Sequence, residues 1–486
     1  MKRLKRAMAI GMLGSLIVLG LAGHASASRK TVPQQLQSMQ ADARQQKATN
    51  DLKASASKIV DLLAKGKFAE VTKKFDSRMK QGLSTEKLKQ TWQAVVAEVG
   101  PYKRQVSSRI EKVQQYDVVS VTCEFAKAKL DIQVTFDRSQ KIAGLHLIPP
   151  NQSMKDTYQP PAYVKRDSFE EQAVTIGSGS AAVSGVLTLP RGEGPFPAVV
   201  LVQGSGPHDR DETIGPNKPF RDLAWGLSSQ GIAVLRYDKR TLIHPEQFNG
   251  NFTVKEEVTD DAIAAIALLR QTKSIRPDQI FLLGHSLGGM LAPRIAQQDS
   301  ALAGLIILAG NTRPFEDLFV AQSIYLASLR EKMTSREKQA ISTFKQQAER
   351  IKSRGLAKAP PTEILLGAPP SYWLDLRTYN QREVAKNLKQ PMLILQGERD
   401  YQVTLEDFRG WQKSLADHKN ATLKTYPTLN HLFMPGTGKS NPTEYQTPNH
   451  IDEAVVNDIA SWVKQREGSQ EPGARSQEEK GDGVKR

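Results

Sequence analysis

The chain has 486 residues, of which 39% are hydrophobic and 24% charged, so it is long enough for two or three domains and is neither fibrous nor wholly disordered. The 67 Lys and Arg outnumber the 51 Asp and Glu and give a formal net charge of +16. The cations are spread along the sequence without a nucleic-acid-binding motif, so this charge indicates a basic surface and not a nucleic-acid partner.

The first 27 residues have the pattern of an export signal. Four cations lie between residues 2 and 6, an apolar run follows over residues 7–23, and Ala25-Ser26-Ala27 has the small-residue spacing of a cleavage site. The pattern predicts a signal peptide over residues 1–27 and a secreted or cell-envelope-associated protein, with an uncleaved membrane anchor as the alternative. Because Cys123 is the only cysteine, no internal disulfide is expected and the fold must rely on its core.

A small α+β domain is predicted over residues 51–148, after a flexible lead over residues 28–50. Apolar residues recur at helical spacing from Lys53 to Phe75 and from Leu88 to Val99. Four β-branched, alternating stretches then predict a meander of strands, at Val106–Ile110, Val118–Phe125, Leu130–Phe136 and Ile142–Ile148. A proline-rich linker is predicted over residues 149–166.

Residues 167–466 alternate between strand and helix patterns, which predicts an α/β domain with a mostly parallel sheet. Strands are expected at Ala181–Leu189, Phe196–Val202, Ile232–Tyr237, Ile280–Leu283, Leu305–Leu308, Met392–Leu395 and Leu423–Tyr426. The segment 311–390 is too long for a simple crossover and predicts an inserted helical cap whose aromatic residues either line a cleft or pack the cap onto the sheet. Residues 467–486 are almost without apolar side chains and are expected to be disordered.

The strongest signal for chemistry is Gly284-His285-Ser286-Leu287-Gly288, a G-x-S-x-G motif between a predicted strand and a predicted helix. On such a turn a serine needs neighbours without Cβ at two residues before and after it, because the backbone is compressed there. The pattern predicts Ser286 as a nucleophile and the Leu287 N–H as an oxyanion donor at the start of the helix.

A serine hydroxyl needs a histidine to take its proton. His431 lies just after the strand pattern at Leu423–Tyr426, late in the chain where the base of a Ser, acid, His order belongs. His418 and His450 also lie late in the chain, and both fit surface positions better. We therefore predict His431 as the base.

A carboxylate must orient this histidine. Asp400 follows the buried pattern Met392–Leu395 on the loop at its C-terminal end, which predicts it as the acid. Glu398 on the same loop and Asp375 in the cap are the competing carboxylates.

The second oxyanion donor is predicted to be the Ser205 N–H, in the glycine-containing loop after Phe196–Val202. The run His208–Glu212 leaves the same edge as Tyr237–Arg240. A metal site built on His208, Asp209 and Asp211 is one interpretation, and a network of ion pairs that braces the two loops is the favoured one. No metal or cofactor is expected.

Taken together, these motifs resemble the α/β-hydrolase superfamily, and in particular the bacterial dienelactone-hydrolase-like and serine-aminopeptidase-like esterases. The resemblance covers residues 165–466 and rests on Gly204-Ser205-Gly206-Pro207, Asp209-Arg210-Asp211, Arg236–Arg240, Gly284–Gly289, Gly397–Tyr401 and Asn430–Phe433. It implies Ser286, Asp400 and His431 as the triad. Gln203 departs from the histidine that many relatives carry, which leaves a role for that side chain in doubt. Residues 50–148 resemble, more weakly, an uncharacterised domain found before such hydrolases.

The favoured function is an exported carboxylesterase that cleaves small esters through an acyl-serine intermediate. A peptidase or amidase acting on short peptides is the alternative with the same triad, since both reactions pass through a tetrahedral oxyanion. A non-catalytic cell-surface binding protein is the third interpretation. The expected partners are a small-molecule ester and, through the basic surface, an anionic cell wall or membrane.

Overall fold

The computed structural model of the protein describes residues 49–113, 116–137, 139–148, 158–248 and 250–467. The predicted signal peptide, the lead up to residue 48, the linker residues 149–157 and the tail from residue 468 lie outside these ranges. The chain divides into two compact units at Thr157/Tyr158. Residues 158–166, expected in the linker, therefore belong to the second unit.

The first unit begins with four helices. They are α1 (residues 49–64), α2 (Phe68–Lys73), α3 (Ser77–Gly82) and α4 (Thr85–Val99). The single helix expected from Lys53 to Phe75 is wrong, because Gly66 adopts a left-handed conformation (φ +70°) that ends α1. Gly100, also left-handed at φ +82°, ends α4, and this end was predicted.

An antiparallel meander completes the first unit. Its strands are β1 (Tyr102–Val113), β2 (Tyr116–Phe125), β3 (Lys129–Phe136) and β4 (Ile142–Ile148), paired in chain order. One sheet face packs against the helices through apolar side chains, among them Leu63, Trp92, Val119 and Phe136. The four predicted strands are confirmed, and their alternation follows from this one-sided apolar core.

The second unit is built on an eight-stranded sheet. Its strands are β5 (Phe169–Ile176), β6 (Val183–Pro190), β7 (Phe196–Val202), β8 (Ala233–Tyr237), β9 (Ile275–His285), β10 (Gly304–Leu308), β11 (Met392–Gly397) and β12 (Ala421–Tyr426). The strand order is β12-β11-β10-β9-β7-β8-β6-β5. β6 is antiparallel to both of its neighbours, β5 and β8, and the other seven strands run in one direction. This is the predicted α/β-hydrolase fold.

Helices cover both faces of this sheet. They are α5 (Pro219–Ser228), α6 (Arg240–Ile243), α7 (Asp260–Gln271), α8 (Leu287–Gln298), α9 (Phe315–Ser328), α10 (Ser335–Lys352), α11 (Pro370–Arg377), α12 (Gln381–Asn387), α13 (Leu405–Ser414) and α14 (Glu453–Glu467). Short 3-10 turns lie at Arg166–Ser168, Gly179–Ala181, Pro245–Phe248, Arg354–Lys358 and Pro442–Gln446, and a π-helical turn lies at Lys255–Thr259. The helices α9 to α12 form the insertion between β10 and β11, where the cap was expected.

Two apolar cores lie on opposite faces of the sheet, as β7 illustrates. Val200 and Val202 belong to one core, and Val199 and Leu201 to the other. Strands buried on both faces give continuous apolar runs, which is why the central strands were predicted. Within the described part of the chain, no helix is both long and apolar enough to cross a membrane.

Candidate active site

The serine motif forms a sharp turn between β9 and α8. Ser286 has φ +54° and ψ −115°, a conformation that non-glycine residues rarely adopt. A Cβ on Gly284 would lie 2.2 Å from the Gly288 carbonyl oxygen, and a Cβ on Gly288 would lie 2.3 Å from the carbonyl oxygen of Val202. Both glycines are therefore required by close backbone approach, as the sequence predicted.

The backbone around Ser286 leaves the first turn of α8 facing the serine. The Ser286 N–H donates to the Leu308 carbonyl at 2.9 Å, which ties the turn to the end of β10. Leu287 is the first residue of α8, so its N–H is one of the four that have no partner within a helix. The positive end of the helix dipole lies at the same place. The geometry suits Leu287 N–H for stabilising negative charge beside Ser286.

The structure brings Asp400 and His431 together. Asp400 Oδ2 lies 2.6 Å from His431 Nδ1, and both residues are buried. The other carboxylate oxygen, Oδ1, accepts from the backbone N–H groups of Gln402 at 2.7 Å and Val403 at 3.0 Å. With Asp400 on Nδ1, the Nε2 atom of His431 is left to act on a substrate. The hydrogen bonds of the described residues do not include one between Ser286 and His431, a contact that often forms only with substrate bound.

Gln396, on β11, is a second partner of Asp400 that the sequence did not indicate. Its Nε2 donates to Asp400 Oδ2 at 3.1 Å and to the Val403 carbonyl at 2.8 Å. The amide is thereby held with its nitrogen toward the carboxylate. The only feature of the sequence that could have pointed to Gln396 was its position as a polar residue at the end of an apolar strand.

The competing residues have other partners. Glu398 accepts from the Thr425 hydroxyl at 2.7 Å, and Asp375 pairs with Arg294 at 2.8 Å. His418 contacts the Leu388 carbonyl, and His450 lies 3.1 Å from Asp222. The structure brings none of these four side chains to the Asp400–His431 pair.

The loop after β7 passes beside Ser286. A Cβ on Gly204 would lie 3.3 Å from Ser286 Cβ. The Gly204 N–H already donates to Glu212 Oε1 at 2.6 Å, so it is occupied, and the next N–H along the loop belongs to the exposed Ser205. The Gln203 side chain is buried and donates to the Tyr237 carbonyl, so it connects the end of β7 to the end of β8.

Behind the serine lies a buried ion pair that the sequence did not indicate. His285 Nδ1 is 3.0 Å from Glu212 Oε2, and His285 Nε2 is 2.9 Å from the His431 carbonyl. Burial alone lowers the pKa of His285, but the Glu212 carboxylate outweighs it and the pKa lies above its ordinary 6.5. Burial likewise raises the pKa of Glu212, but positive charge on His285 outweighs it and the pKa falls below 4.5. Each group therefore favours the charged form of the other.

The charged runs after β7 and β8 form ion pairs, as favoured from the sequence. Arg210 pairs with Asp238 and so joins the two loops. Asp211 is surrounded by three cations, Lys218, Arg221 and Arg236.

Burial and neighbouring charges shift the pKa values of Asp211 and Asp209 in opposite directions. Burial alone raises the pKa of Asp211, but Arg236, Arg221 and Lys218 lower it to about 2. Burial and the adjacent Asp211 carboxylate raise the pKa of Asp209 to about 6. Among the described residues, no group of three or more His, Cys, Asp or Glu is arranged to hold a metal ion.

The aromatic residues of the cap pack onto neighbouring parts of the second unit. Tyr372 and Trp373 are buried in the core, and Phe315 and Phe319 pack against it. Tyr325 differs, since its ring stacks on Tyr401 with centroids 5.0 Å apart and its hydroxyl donates to the Ser440 carbonyl. Because Tyr401 directly follows Asp400, the contact of Tyr325 with Tyr401 places the cap next to the loop after β11 that carries Asp400.

Two families match the chain. Residues 217–437 match the family described as "Serine aminopeptidase, S33", and residues 56–145 match the one described as "Protein of unknown function (DUF3887)". The second match falls within the first unit, for which the sequence implied no catalytic residues.

The chain is also similar to individual proteins of known sequence or structure. Esterase EstD of Thermotoga maritima is 39% identical over 388 residues, which span 80% of this chain and 89% of EstD. The uncharacterized peptidase YtmA of Bacillus subtilis is 22% identical over 290 residues, or 60% of this chain and 91% of YtmA. The structure of Est1E from Butyrivibrio proteoclasticus superposes with a TM-score of 0.40 at 16% identity, covering 61% of this chain and 99% of Est1E. By its identity with Esterase EstD along most of both sequences, the chain belongs to that esterase family and is a serine ester hydrolase of the α/β-hydrolase superfamily.

Proposed function

We propose that the protein is an exported carboxylesterase that cleaves small esters through an acyl intermediate on Ser286, with His431 as the base and Asp400 as its partner. The observation that carries this proposal is the 2.6 Å contact between Asp400 and His431 in the same unit as the strained Ser286 turn. A carboxylate on Nδ1 fixes the histidine tautomer that can accept a proton at Nε2.

The reaction follows from these positions. Ser286 Oγ attacks the ester carbonyl carbon while its proton passes to His431 Nε2, and the N–H groups of Leu287 and Ser205 stabilise the oxyanion. The carbon–oxygen bond to the alcohol then breaks, and His431 returns the proton to the leaving oxygen. Water attacks the acyl-Ser286 ester in the second half with His431 again as base, which releases the carboxylic acid and restores the serine.

A peptidase is the second candidate, because residues 217–437 match a family described as a serine aminopeptidase. The two activities are separated by the kcat/KM values for p-nitrophenyl acetate and butyrate and for aminoacyl p-nitroanilides. We expect the esters to be preferred and their turnover to be lost in Ser286→Ala, while Ser184→Ala, an exposed serine on β6, keeps it. A preference for the anilides would favour the peptidase, and full ester turnover in Ser286→Ala would contradict both candidates.

Export is supported by the sequence pattern of residues 1–27. Association with an anionic surface is supported by the positive net charge, since the +16 of the full sequence becomes +12 once the four cations of residues 1–27 are removed (16 − 4 = 12). We expect the protein recovered from the cell envelope or medium to begin at Ser28, as read by N-terminal sequencing. Its retention on cell envelopes should weaken with added salt, because screening shortens the reach of exposed charges to about 8 Å at physiological ionic strength. An unprocessed chain retained inside the cell would contradict the proposed location.

A further inference from the structure

We propose that Lys239 is a positioning residue for the reaction. Its ammonium holds the Gly204 carbonyl so that the N–H at the other end of the same peptide, that of Ser205, faces the reacting carbonyl as an oxyanion donor. This inference rests on the proposed function, in which Ser286 is the nucleophile.

Gly204 is held on both sides by buried charges. Its N–H donates to Glu212 Oε1 at 2.6 Å, and its carbonyl oxygen accepts from Lys239 Nζ at 2.7 Å. Glu212 is 1% exposed and Lys239 is 2% exposed. Hydrogen bonds to charged groups are about twice as strong as those between neutral groups, and burial protects them from water. The orientation of this one residue is therefore fixed more firmly than loop backbone usually is.

Because Gly204 and Ser205 share a peptide bond, these two hydrogen bonds also orient the Ser205 N–H, the proposed oxyanion donor. The bond is planar and trans, so its carbonyl and its N–H point in opposite directions. With the Gly204 carbonyl directed at Lys239, the Ser205 N–H is directed away from the ammonium. The same residue lies against the nucleophile, since a Cβ on Gly204 would be 3.3 Å from Ser286 Cβ.

A cation on the carbonyl oxygen also strengthens the donor. It draws electron density along the peptide, and hydrogen bonds in such a chain reinforce one another in a low-dielectric interior. The polarised N–H is then a better partner for an oxyanion than for a neutral carbonyl. Lys239 should consequently stabilise the transition state more than the bound substrate.

A second buried carboxylate, that of Glu257, holds the Lys239 side chain in place. Its Nζ also donates to Glu257 Oε1 at 2.6 Å, in the π-helical turn Lys255–Thr259, and its own N–H donates to the His208 carbonyl. Glu257 compensates the buried ammonium, which would otherwise be costly. A purely structural ion pair would need only Glu257, whereas the contact with Gly204 ties the pair to the oxyanion loop.

The test compares Lys239→Met with the double variant Lys239→Met/Glu257→Gln, which removes both charges and leaves no buried carboxylate unpaired. Lys239→Arg keeps the charge. Lys255→Met is the matched control, since this exposed lysine of the same turn pairs with Asp260. Active-site titration with a fluorophosphonate corrects every rate for the fraction of folded enzyme.

Two quantities separate positioning from a structural role. They are the kcat and KM for p-nitrophenyl acetate, and the inhibition constant of phenylboronic acid, which forms a tetrahedral adduct on serine with an oxygen in the oxyanion site. Losing a whole oxyanion donor costs about 10²- to 10³-fold in kcat, so we expect a misoriented one to cost about 10- to 100-fold. KM should stay within about twofold, boronic acid binding should weaken by the same factor as kcat, and Lys239→Arg should recover part of both.

A double variant that keeps kcat within threefold of wild type would overturn the inference, and so would a loss of kcat without weaker boronic acid binding. If the double variant does not fold, the same pair of measurements on the titrated fraction of Lys239→Met decides, since an unchanged kcat and boronic acid affinity there would also count against a role for the ammonium. Failure of the proposed function would look different, because wild-type ester turnover would then survive in Ser286→Ala.

Discussion

Replacing Asp400 by Asn tests the triad at the point where the structure makes the sharpest prediction. The Oδ1 atom of Asp400 accepts two backbone N–H groups, so the carbonyl oxygen of the new amide must stay at that end. Its NH₂ group then takes the place of Oδ2 and faces His431 Nδ1 and the Gln396 amide nitrogen. Gln396 cannot simply turn around, because the same nitrogen is held by the Val403 carbonyl.

The consequence is a change of tautomer. A donor opposite Nδ1 requires His431 to carry its proton on Nε2, where it can no longer accept the proton of Ser286. We expect kcat for p-nitrophenyl acetate to fall about 10⁴-fold, the scale seen when the acid of a serine triad becomes an amide. At 1.36 kcal/mol per factor of ten, this is about 5 kcal/mol of transition-state stabilisation. The fold should be unaffected, since the two backbone hydrogen bonds remain.

The assay is stopped-flow turnover of the ester, corrected by active-site titration, with circular dichroism as the check on folding. Glu398→Gln is the control, because Glu398 is two residues earlier on the same loop, exposed, and bonded to Thr425. We expect the kcat of Glu398→Gln to fall less than threefold. The reasoning would be refuted if the Asp400→Asn variant kept more than a tenth of wild-type kcat. It would also be refuted if Glu398→Gln lowered kcat as much as Asp400→Asn.

Three further predictions concern the surroundings of the site. Glu212→Gln should lower the free energy of unfolding most between about pH 4.5 and 6.5. Because the pKa of His285 is raised in the folded protein, the stability that the ion pair contributes is lost as pH rises through that pKa. Because the pKa of Glu212 is lowered, the same contribution is lost as pH falls through the Glu212 pKa. Urea unfolding at pH 6 and pH 9 checks this, and an equal or larger loss at pH 9 would contradict it. Tyr325→Ala, which removes the stacking on Tyr401, should change the preference across acetate to octanoate esters more than Tyr325→Phe, which keeps the ring; identical profiles in both would exclude a role of this side chain in acyl selection. A chain starting at Tyr158 should keep wild-type kcat, because every residue assigned to the chemistry lies after position 200, and a folded but inactive truncation would place part of the site in the first unit.

The serine turn and the parallel strands could be predicted because their signals are local. The glycines at 284 and 288 are required by backbone contacts within a few residues of the serine or at the end of the neighbouring strand, and the central strands are apolar on both faces. The edge strand β5 was missed for the opposite reason. It pairs on one side only, so most of its side chains are exposed and its sequence, with Glu170, Glu171 and Gln172, reads as a polar loop.

The contacts that hold the site could not be predicted, because they join residues that no local pattern connects. Lys239 meets Gly204 from 35 residues away, and His285 meets the His431 carbonyl from 146 residues away. Each of these residues was visible in a motif. Which backbone group a charged side chain would hold is decided only by how the loops after β7, β8 and β9 converge at one edge of the sheet.

The most direct measurement of the central claim is covalent labelling of the whole protein with a fluorophosphonate, followed by intact mass and peptide mapping. We predict one label per chain, carried by Ser286, and complete loss of both labelling and ester turnover in Ser286→Ala. His431→Ala should slow labelling strongly, because the serine then has no base. A label on another residue, or ester turnover that survives in Ser286→Ala, would contradict the assignment of Ser286 as the nucleophile.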